Sequence, residues 1–410
     1  MIKNEEFYQI VKEYGTPGFL FDCDEVLTRV QKIKEILNNG HGKQSIGLCY
    51  SIKANPFLVP YLISAVDFFE VCSPGELSIC QHNQVPGDRI IYSGVNKQLD
   101  DITEAIRYGA AILTVESLYQ FDLISQAAAH LKRKVSVIVR LSSKSQFGMD
   151  LADVRLLLKD HAKNDSDITI QGIHYFAGTQ RTKLAHQKKE LDELRCILKD
   201  LRSESSYELP MFEYGPGLSY PYFEGDNFED TLAPLKELAP TLNDVAAWSQ
   251  LTVEMGRFLA SSCGYYLTSV ADQKRSFEKN WCILDGGINH VNYYGQMMGL
   301  KIPIIHHLPI DSVDSAPCKA KSTDKWALCG SLCTTNDVLV REYEMREPKL
   351  HDILVFCNLG AYSVTEGIAL FLSRDMPKVI AYHNGKTTLL RDTLEAWKMN
   401  TNNNIKGELK

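Results

Sequence analysis

The stretch Tyr50-Ser51-Ile52-Lys53-Ala54-Asn55-Pro56 runs a strand-like segment into a stop and leaves one long cation at the junction. Ile46 to Ile52 is rich in strand-forming types and short enough for a buried strand. Asn55-Pro56 ends it, because the residue before a proline leaves helical space and proline cannot pair within a sheet. Lys53 therefore falls at the carboxyl end of a buried strand. Such a lysine either loses solvation and offers a nucleophilic amine, or lays its stem on apolar surface and keeps its head in water.

Working outward, a short strand at 17–22 and a helical pattern at 24–37 precede this stretch. Strand-like runs at 46–52, 67–72, 89–92, 111–115, 135–141, 168–176, 211–214 and 251–254 then alternate with helix-compatible stretches at 58–65, 74–82, 99–108, 118–133, 151–161, 183–203 and 227–248. This is the rhythm of an α/β fold, a (β/α)8 TIM barrel, although a doubly wound open sheet gives a similar one. Barrel enzymes keep their chemistry at the carboxyl ends of the strands. Those ends carry Lys53, Glu70 to Ser73, Ser93-Gly94, Glu116, Arg140, His174, Gly215 and Glu254 to Arg257. A purely structural barrel needs no such concentration of polar and glycine residues.

Beyond Arg257 the pattern changes. Runs at 265–273, 281–285, 302–307, 353–356 and 378–383 read as strands joined by turns, and 391–398 is the one clear helical pattern left. The expected organisation is a barrel over 31–264 and a mainly β C-terminal domain over 265–410, with a frayed tail at 401–404. A length of 410 residues, 44% hydrophobic and 23% charged, suits two ordinary globular domains. The net charge of -7 and the lack of a long basic run argue against nucleic acid or an anionic membrane as partner. No segment is long and apolar enough to span a bilayer, and residues 1–6 lack a signal peptide's apolar core. The 11 cysteines lie without CxxC pairs or zinc-ligand spacing, which reads as reduced thiols in a cytoplasmic protein and gives no metal site.

Three further motifs carry chemistry. In Glu254-Met255-Gly256-Arg257, a buried carboxylate needs a cation or a protonated ring nitrogen, and the arginine suits a phosphate; an ordinary ion pair between the two is the alternative. Glu213-Tyr214-Gly215-Pro216-Gly217 is a glycine loop after the seventh strand, where barrels bind phosphate, or simply a tight turn. His174, at the end of the sixth strand, suits stacking on an aromatic ring or a satisfied core position. Lys53, His174, Gly215, Gly217, Glu254 and Arg257 answer one need together. Pyridoxal 5'-phosphate has an aldehyde that forms an imine with an amine, a ring nitrogen that takes a carboxylate, and a phosphate that takes amides and arginine.

The chain resembles the fold type III (alanine-racemase-like) pyridoxal-phosphate decarboxylases of the ornithine and diaminopimelate decarboxylase group. Tyr-Ser-Ile-Lys53-Ala-Asn is similar to that family's lysine motif, Glu70-Val-Cys-Ser73-Pro-Gly75-Glu76-Leu to its second-strand motif, and Glu254-Met-Gly256-Arg257 to its Glu-Pro-Gly-Arg. The likeness continues in Gly330-Ser-Leu-Cys333-Thr334-Thr-Asn-Asp337 and Gly360-Ala361-Tyr362. It implies a homodimer with shared active sites, in which residues 1–30 join the β domain. It also implies catalytic roles for Lys53, His174, Glu254 and Cys333, the last as proton donor from the partner subunit. Glu70, Thr179, Gly215, Gly217, Gly256, Arg257 and Tyr362 are implied as cofactor contacts, and Thr334, Asp337 and Tyr362 as substrate contacts. Pro216 departs from the family's glycine triplet and Met255 from its proline.

Gln146-Phe-Gly148-Met-Asp150, His174-Tyr-Phe-Ala-Gly178-Thr179-Gln180 and Leu332-Cys333-Thr334 resemble the branch acting on carrier-linked or siderophore-precursor amino acids. The residue after the cysteine is typically acidic in ornithine and diaminopimelate enzymes; here it is Thr334. The expectation is an amino-acid decarboxylase whose substrate is not a simple diamino acid. A decarboxylase of free diaminopimelate, ornithine or lysine, a racemase on the same fold, and a non-catalytic pyridoxal-phosphate carrier are the alternatives.

Overall fold

The computed structural model describes residues 2–39, 45–161, 167–205, 207–293, 299–312 and 323–402. A helix at Asn4–Tyr14 and strand β1 (Gly18–Asp22) come first. Eight parallel strands then close into a barrel: β2 (Gly47–Ser51), β3 (Phe68–Val71), β4 (Ile90–Tyr92), β5 (Ile112–Val115), β6 (Val135–Arg140), β7 (Ile168–Phe176), β8 (Met211–Gly215) and β9 (Gln250–Met255). Closure is made by β9 pairing with β2, with Glu254 in register with Cys49. The barrel reading of the sequence holds, and the open sheet does not.

Helix starts in the barrel also build its mouth. At the exit of β3, Ser73 Oγ accepts from the Glu76 amide at 3.1 Å, while Glu76 Oε2 accepts from the Cys72 amide at 2.7 Å. This reciprocal capping fixes where the helix Pro74–His82 begins and holds Cys72 in place. At the exit of β5, Ser117 Oγ accepts from the Gln120 amide and Gln120 Oε1 from the Glu116 amide, each at 3.1 Å. The expected helix at 58–65 is shorter, with one-turn 3-10 helices at Ile52–Ala54 and Pro56–Leu58 leading into Val59–Leu62.

The second unit is a nine-stranded sheet. It adds β10 (Gly264–Ser276), β11 (Lys279–Leu284), β12 (Ile305–Leu308), β13 (Asp324–Cys329), β14 (Val338–Met345), β15 (Ile353–Cys357), β16 (Lys378–His383) and β17 (Lys386–Arg391). The main order is β14-β13-β11-β10-β1-β16-β17, and β15 pairs with both β10 and β12. β1 lies antiparallel to β10 and parallel to β16. A core of Phe7, Ile10, Leu20, Tyr265, Leu267, Val355 and Ile380 joins the first helix to this sheet.

The compact units comprise residues 1–26, 221–228 and 260–410 on one side, and 27–220 with 229–259 on the other. The segment 221–228, lying between β8 and β9 in sequence, thus groups with the β unit, and residues 27–30 with the barrel. The first helix, β13, β14 and β17 were not expected from the sequence. The helical pattern at 391–398 is only a 3-10 turn at Ala396–Lys398. In β14, register shifts against β13 break the two-residue alternation that reveals a strand. Residues 403 and 404 of the expected frayed tail lie outside the described residues.

Candidate active site

Lys53 sits in the 3-10 turn directly after β2, and its side chain keeps 39% of its surface exposed. Nζ donates to Glu70 Oε2 at 2.7 Å and lies 3.5 Å from Glu254 Oε1 and 3.6 Å from Cys72 Sγ. Of the two readings of the sequence, loss of solvation or a head kept in water, the part-exposed side chain is nearer the second, and the amine is surrounded by negative charge. Both carboxylates come from the interior of the barrel, Glu70 from β3 and Glu254 from β9.

Glu254 is the hub. Its Oε1 accepts from Ser51 Oγ at 2.7 Å, and its Oε2 lies 3.2 Å from His174 Nε2. Burial opposes its ionisation. The Lys53 charge, the His174 hydrogen bond and charge, and the Ser51 hydroxyl overcome that and hold it well below the usual carboxylate range. His174 is 1% exposed, and its Nδ1 has no partner among the described residues. Arg257 Nε donates to Thr179 Oγ1 at 3.3 Å.

The glycine loop is clasped from the β7 side. Gly217 has φ +60°, and a Cβ there would fall 1.8 Å from Gly178 O. The Arg181 amide donates to Gly217 O at 2.9 Å, and Gln187 Nε2 to Pro216 O at 3.3 Å. Arg181 itself is anchored by a two-pronged ion pair to Glu190, 2.9 and 3.0 Å, and Glu190 also accepts from Tyr214 at 2.7 Å. Thr179, Gly215, Gly217, Gly256 and Arg257 thus gather at the carboxyl ends of β7, β8 and β9.

Cys333, Thr334, Asp337 and Tyr362 belong to the β unit. Cys333 is exposed. Asp337 is 2% exposed and accepts from the Ile288 and Leu332 amides at 2.9 and 2.7 Å. Its carboxyl fits only because Gly287 and Gly330 lack side chains, since a Cβ on either would come within 2.6 Å of it. The candidate substrate contact Asp337 is therefore committed to shaping the Cys333 loop. Tyr362 holds a left-handed backbone at φ +68°, a costly conformation for a tyrosine.

Sequence reasoning gave no role to Ser51 or Cys72, though each lies inside a quoted motif. It also passed over a buried network at the exits of β4, β5 and β6. Arg140 Nη1 meets Glu116 Oε1 at 3.0 Å, and Lys97 Nζ meets Gln120 Oε1 at 3.2 Å and the Gly94 carbonyl. Burial brings Lys97 down to about 8, against the pull of Glu116. Arg140 and Glu116 were legible as polar strand ends; Lys97, in a loop, had no such signal. Among the described residues, no group of His, Cys, Asp and Glu could hold a metal ion, and no helix is long and apolar enough to cross a membrane.

The sequence profile of the family described as "Pyridoxal-dependent decarboxylase, pyridoxal binding domain" matches residues 23–261. The chain belongs to the pyridoxal-dependent decarboxylases. It is 22% identical to diaminopimelate decarboxylase of Aquifex aeolicus, over 95% of this chain and 92% of that one. It is 23% identical to L-glutamyl-[BtrI acyl-carrier protein] decarboxylase of Niallia circulans, over 98% and 97%. The structure of diaminopimelate decarboxylase from M. jannaschii in co-complex with L-lysine superposes with a TM-score of 0.81 at 21% identity, covering 94% of this chain and 91% of that one.

The protein is thus a carboxy-lyase of the ornithine and diaminopimelate decarboxylase group that uses pyridoxal phosphate, and its side chains fit that cofactor. A decarboxylase of this type needs an amine, a buried anion for the ring nitrogen and a cradle for the phosphate. The residues present fit these needs: Lys53 has an amine, Glu254 is a buried anion, and Gly217, without a side chain, lies against the Gly178 carbonyl next to the strand end that carries Thr179. Pro216 has no backbone N–H to offer such a cradle.

Proposed function

We propose that this decarboxylase acts on an amino acid whose distal end is not a free ammonium: uncharged, acidic, or joined to a larger carrier. The observation that carries this is the loop after Cys333. Thr334, Thr335 and Asn336 bear no charge, and the Asp337 carboxylate is taken up by two backbone amides. A distal ammonium desolvated against a hydroxyl instead of a carboxylate forfeits a charged hydrogen bond, about 1.5–3 kcal/mol, or more than tenfold in binding. Likeness to the carrier-linked glutamyl decarboxylase supports this reading. Likeness at similar identity to the diaminopimelate decarboxylases supports a second, in which another part of the assembly supplies the missing charge to a free diamino acid.

The cofactor, when bound, supplies the electron sink for the breaking bond between Cα and the carboxylate. In this proposal Lys53 is its covalent anchor, with Glu70 holding the amine in position. Glu254 keeps the proton on the ring nitrogen, and His174 backs the ring. Thr179, Gly215, Gly217, Gly256 and Arg257 bind the phosphate. Cys333 Sγ of the partner subunit gives a proton to the substrate α-carbon, and Tyr362 lines the same shared site of a homodimer. Carbon dioxide release from free ornithine, lysine, meso-diaminopimelate and glutamate, and from glutamyl-loaded carrier protein, tests the substrate class. Efficient turnover of a free diamino acid overturns the first reading in favour of the second.

A further inference from the structure

Glu213 has no part in the scheme above, yet it stands within the site. It lies on β8, in register with His174 on β7 and with Thr252 on β9. It is 3% exposed, and neither of its carboxyl oxygens has a hydrogen-bond partner among the described residues. The charged groups acting on it are Glu254, Glu70, Lys53 and Arg140, and the buried thiol of Cys49 is close enough to feel it. The cations are already engaged. Lys53 is shared between Glu70 and Glu254, and Arg140 is held by Glu116.

A buried ionised carboxylate with no donor is far costlier than a neutral one. Of the two neighbouring carboxyls, Glu254 has a hydroxyl, an imidazole and an ammonium, and Glu213 has none of these. Burial first, then the charges of Glu254 and Glu70, push Glu213 well above the usual carboxylate range, while Glu254 is held well below it. Pairs of carboxyls driven apart in this way take opposite protonation states.

We propose that Glu213 is a positioning residue of this active site: a carboxylic acid kept uncharged inside the barrel, so that Glu254 alone of the pair remains the anion presented to the cofactor ring. Its side chain acts through Glu254 and touches no reacting atom. The coupling is reciprocal. Removing the charge at Glu254 therefore makes Glu213 easier to ionise. The inference rests on the assignment of Glu254 to the ring nitrogen.

The test is infrared spectroscopy on holoenzyme labelled with 13C-glutamate. A carbonyl stretch of a protonated carboxylic acid is expected at neutral pH, lost in Glu213→Gln and titrating at lower pH in Glu254→Gln. The visible band of the bound cofactor in Glu213→Gln should keep its wild-type pH midpoint, because a neutral amide stands in for a neutral acid. Lack of the protonated band at neutral pH overturns the proposal. So does a band whose titration ignores Glu254→Gln, or a cofactor midpoint moved by about one pH unit, a tenfold change in protonation, in Glu213→Gln. Failure of the Glu254 assignment is read separately, as an unchanged visible spectrum in Glu254→Gln holoenzyme.

Discussion

Glu254 offers Oε2 to His174 Nε2 at 3.2 Å, and the far nitrogen of that ring, Nδ1, is left without a partner among the described residues. The pair is nearly sealed from solvent, at 8% and 1% exposure. Its geometry orients the imidazole from one edge only, and the carboxylate gains a donor that does not compete with Ser51.

Glu254→Gln should lower kcat on the order of 100-fold or more, the scale on which removal of a preorganised electrostatic partner acts. The carboxylate also feeds stability. With its folded pKa lowered, its contribution is present above the unfolded value of about 4.3 and is lost as pH falls through the folded value. Thermal unfolding of cofactor-free protein between pH 3 and 6 should show a shallower acid-side decline in Glu254→Gln than in the parent.

Arg257→Ala removes the charge proposed for the cofactor phosphate, together with the contact to Thr179. Cofactor affinity should fall more than tenfold, for the loss of about 1.5–3 kcal/mol in a charged hydrogen bond. The spectrum of the cofactor that remains bound should change little. Equilibrium dialysis with absorbance detection measures both.

Gly217→Ala meets the Gly178 carbonyl and a positive φ together. Backbone strain alone costs about 1–3 kcal/mol, so a lower Tm and weaker cofactor retention are expected in the same variant. Gly225→Ala, at φ +86° with nothing within 4 Å of the added carbon, is the control in which strain acts without a clash.

Lys53→Ala and Cys333→Ala are each expected to be inactive. If the two residues meet across a dimer interface, mixing the variants under subunit exchange should restore up to about a quarter of wild-type activity, because half the dimers are hybrids with one intact site of two. No recovery after demonstrated exchange overturns the shared site.

Thr334→Glu should raise kcat/KM for a basic substrate such as ornithine, by roughly tenfold or more if a charged hydrogen bond is gained. Steady-state kinetics decide it, and no gain would show that residue 334 does not face the distal end.

The barrel was legible because each strand is a short apolar run ending in a polar or glycine residue, a pattern set by closure of the sheet and by chemistry at one rim. Lys53, Glu254 and Arg257 were legible as charges misplaced at the ends of such runs. The special state of Glu213 was not, because a sequence names the carboxyl but not the donors it lacks. The β sheet was read only in part: β13 and β14 pair through irregular register, and β17 has a half-exposed face without the alternation that betrays a buried strand. The first helix escaped notice because its polar residues mask the Phe7 and Ile10 stripe that docks it.

The position of β1 between β10 and β16 has a consequence for synthesis. Gly18–Asp22 leaves the ribosome before the barrel, yet its neighbours on either side, Gly264–Ser276 and Lys378–His383, follow hundreds of residues later. All eight barrel strands are translated in that interval. The β1 ribbon, buried throughout in the finished sheet, must therefore wait as an unpaired apolar strand while the whole barrel is translated. At about 5–20 residues per second, that wait lasts tens of seconds, the window in which a chaperone would have this segment to guard.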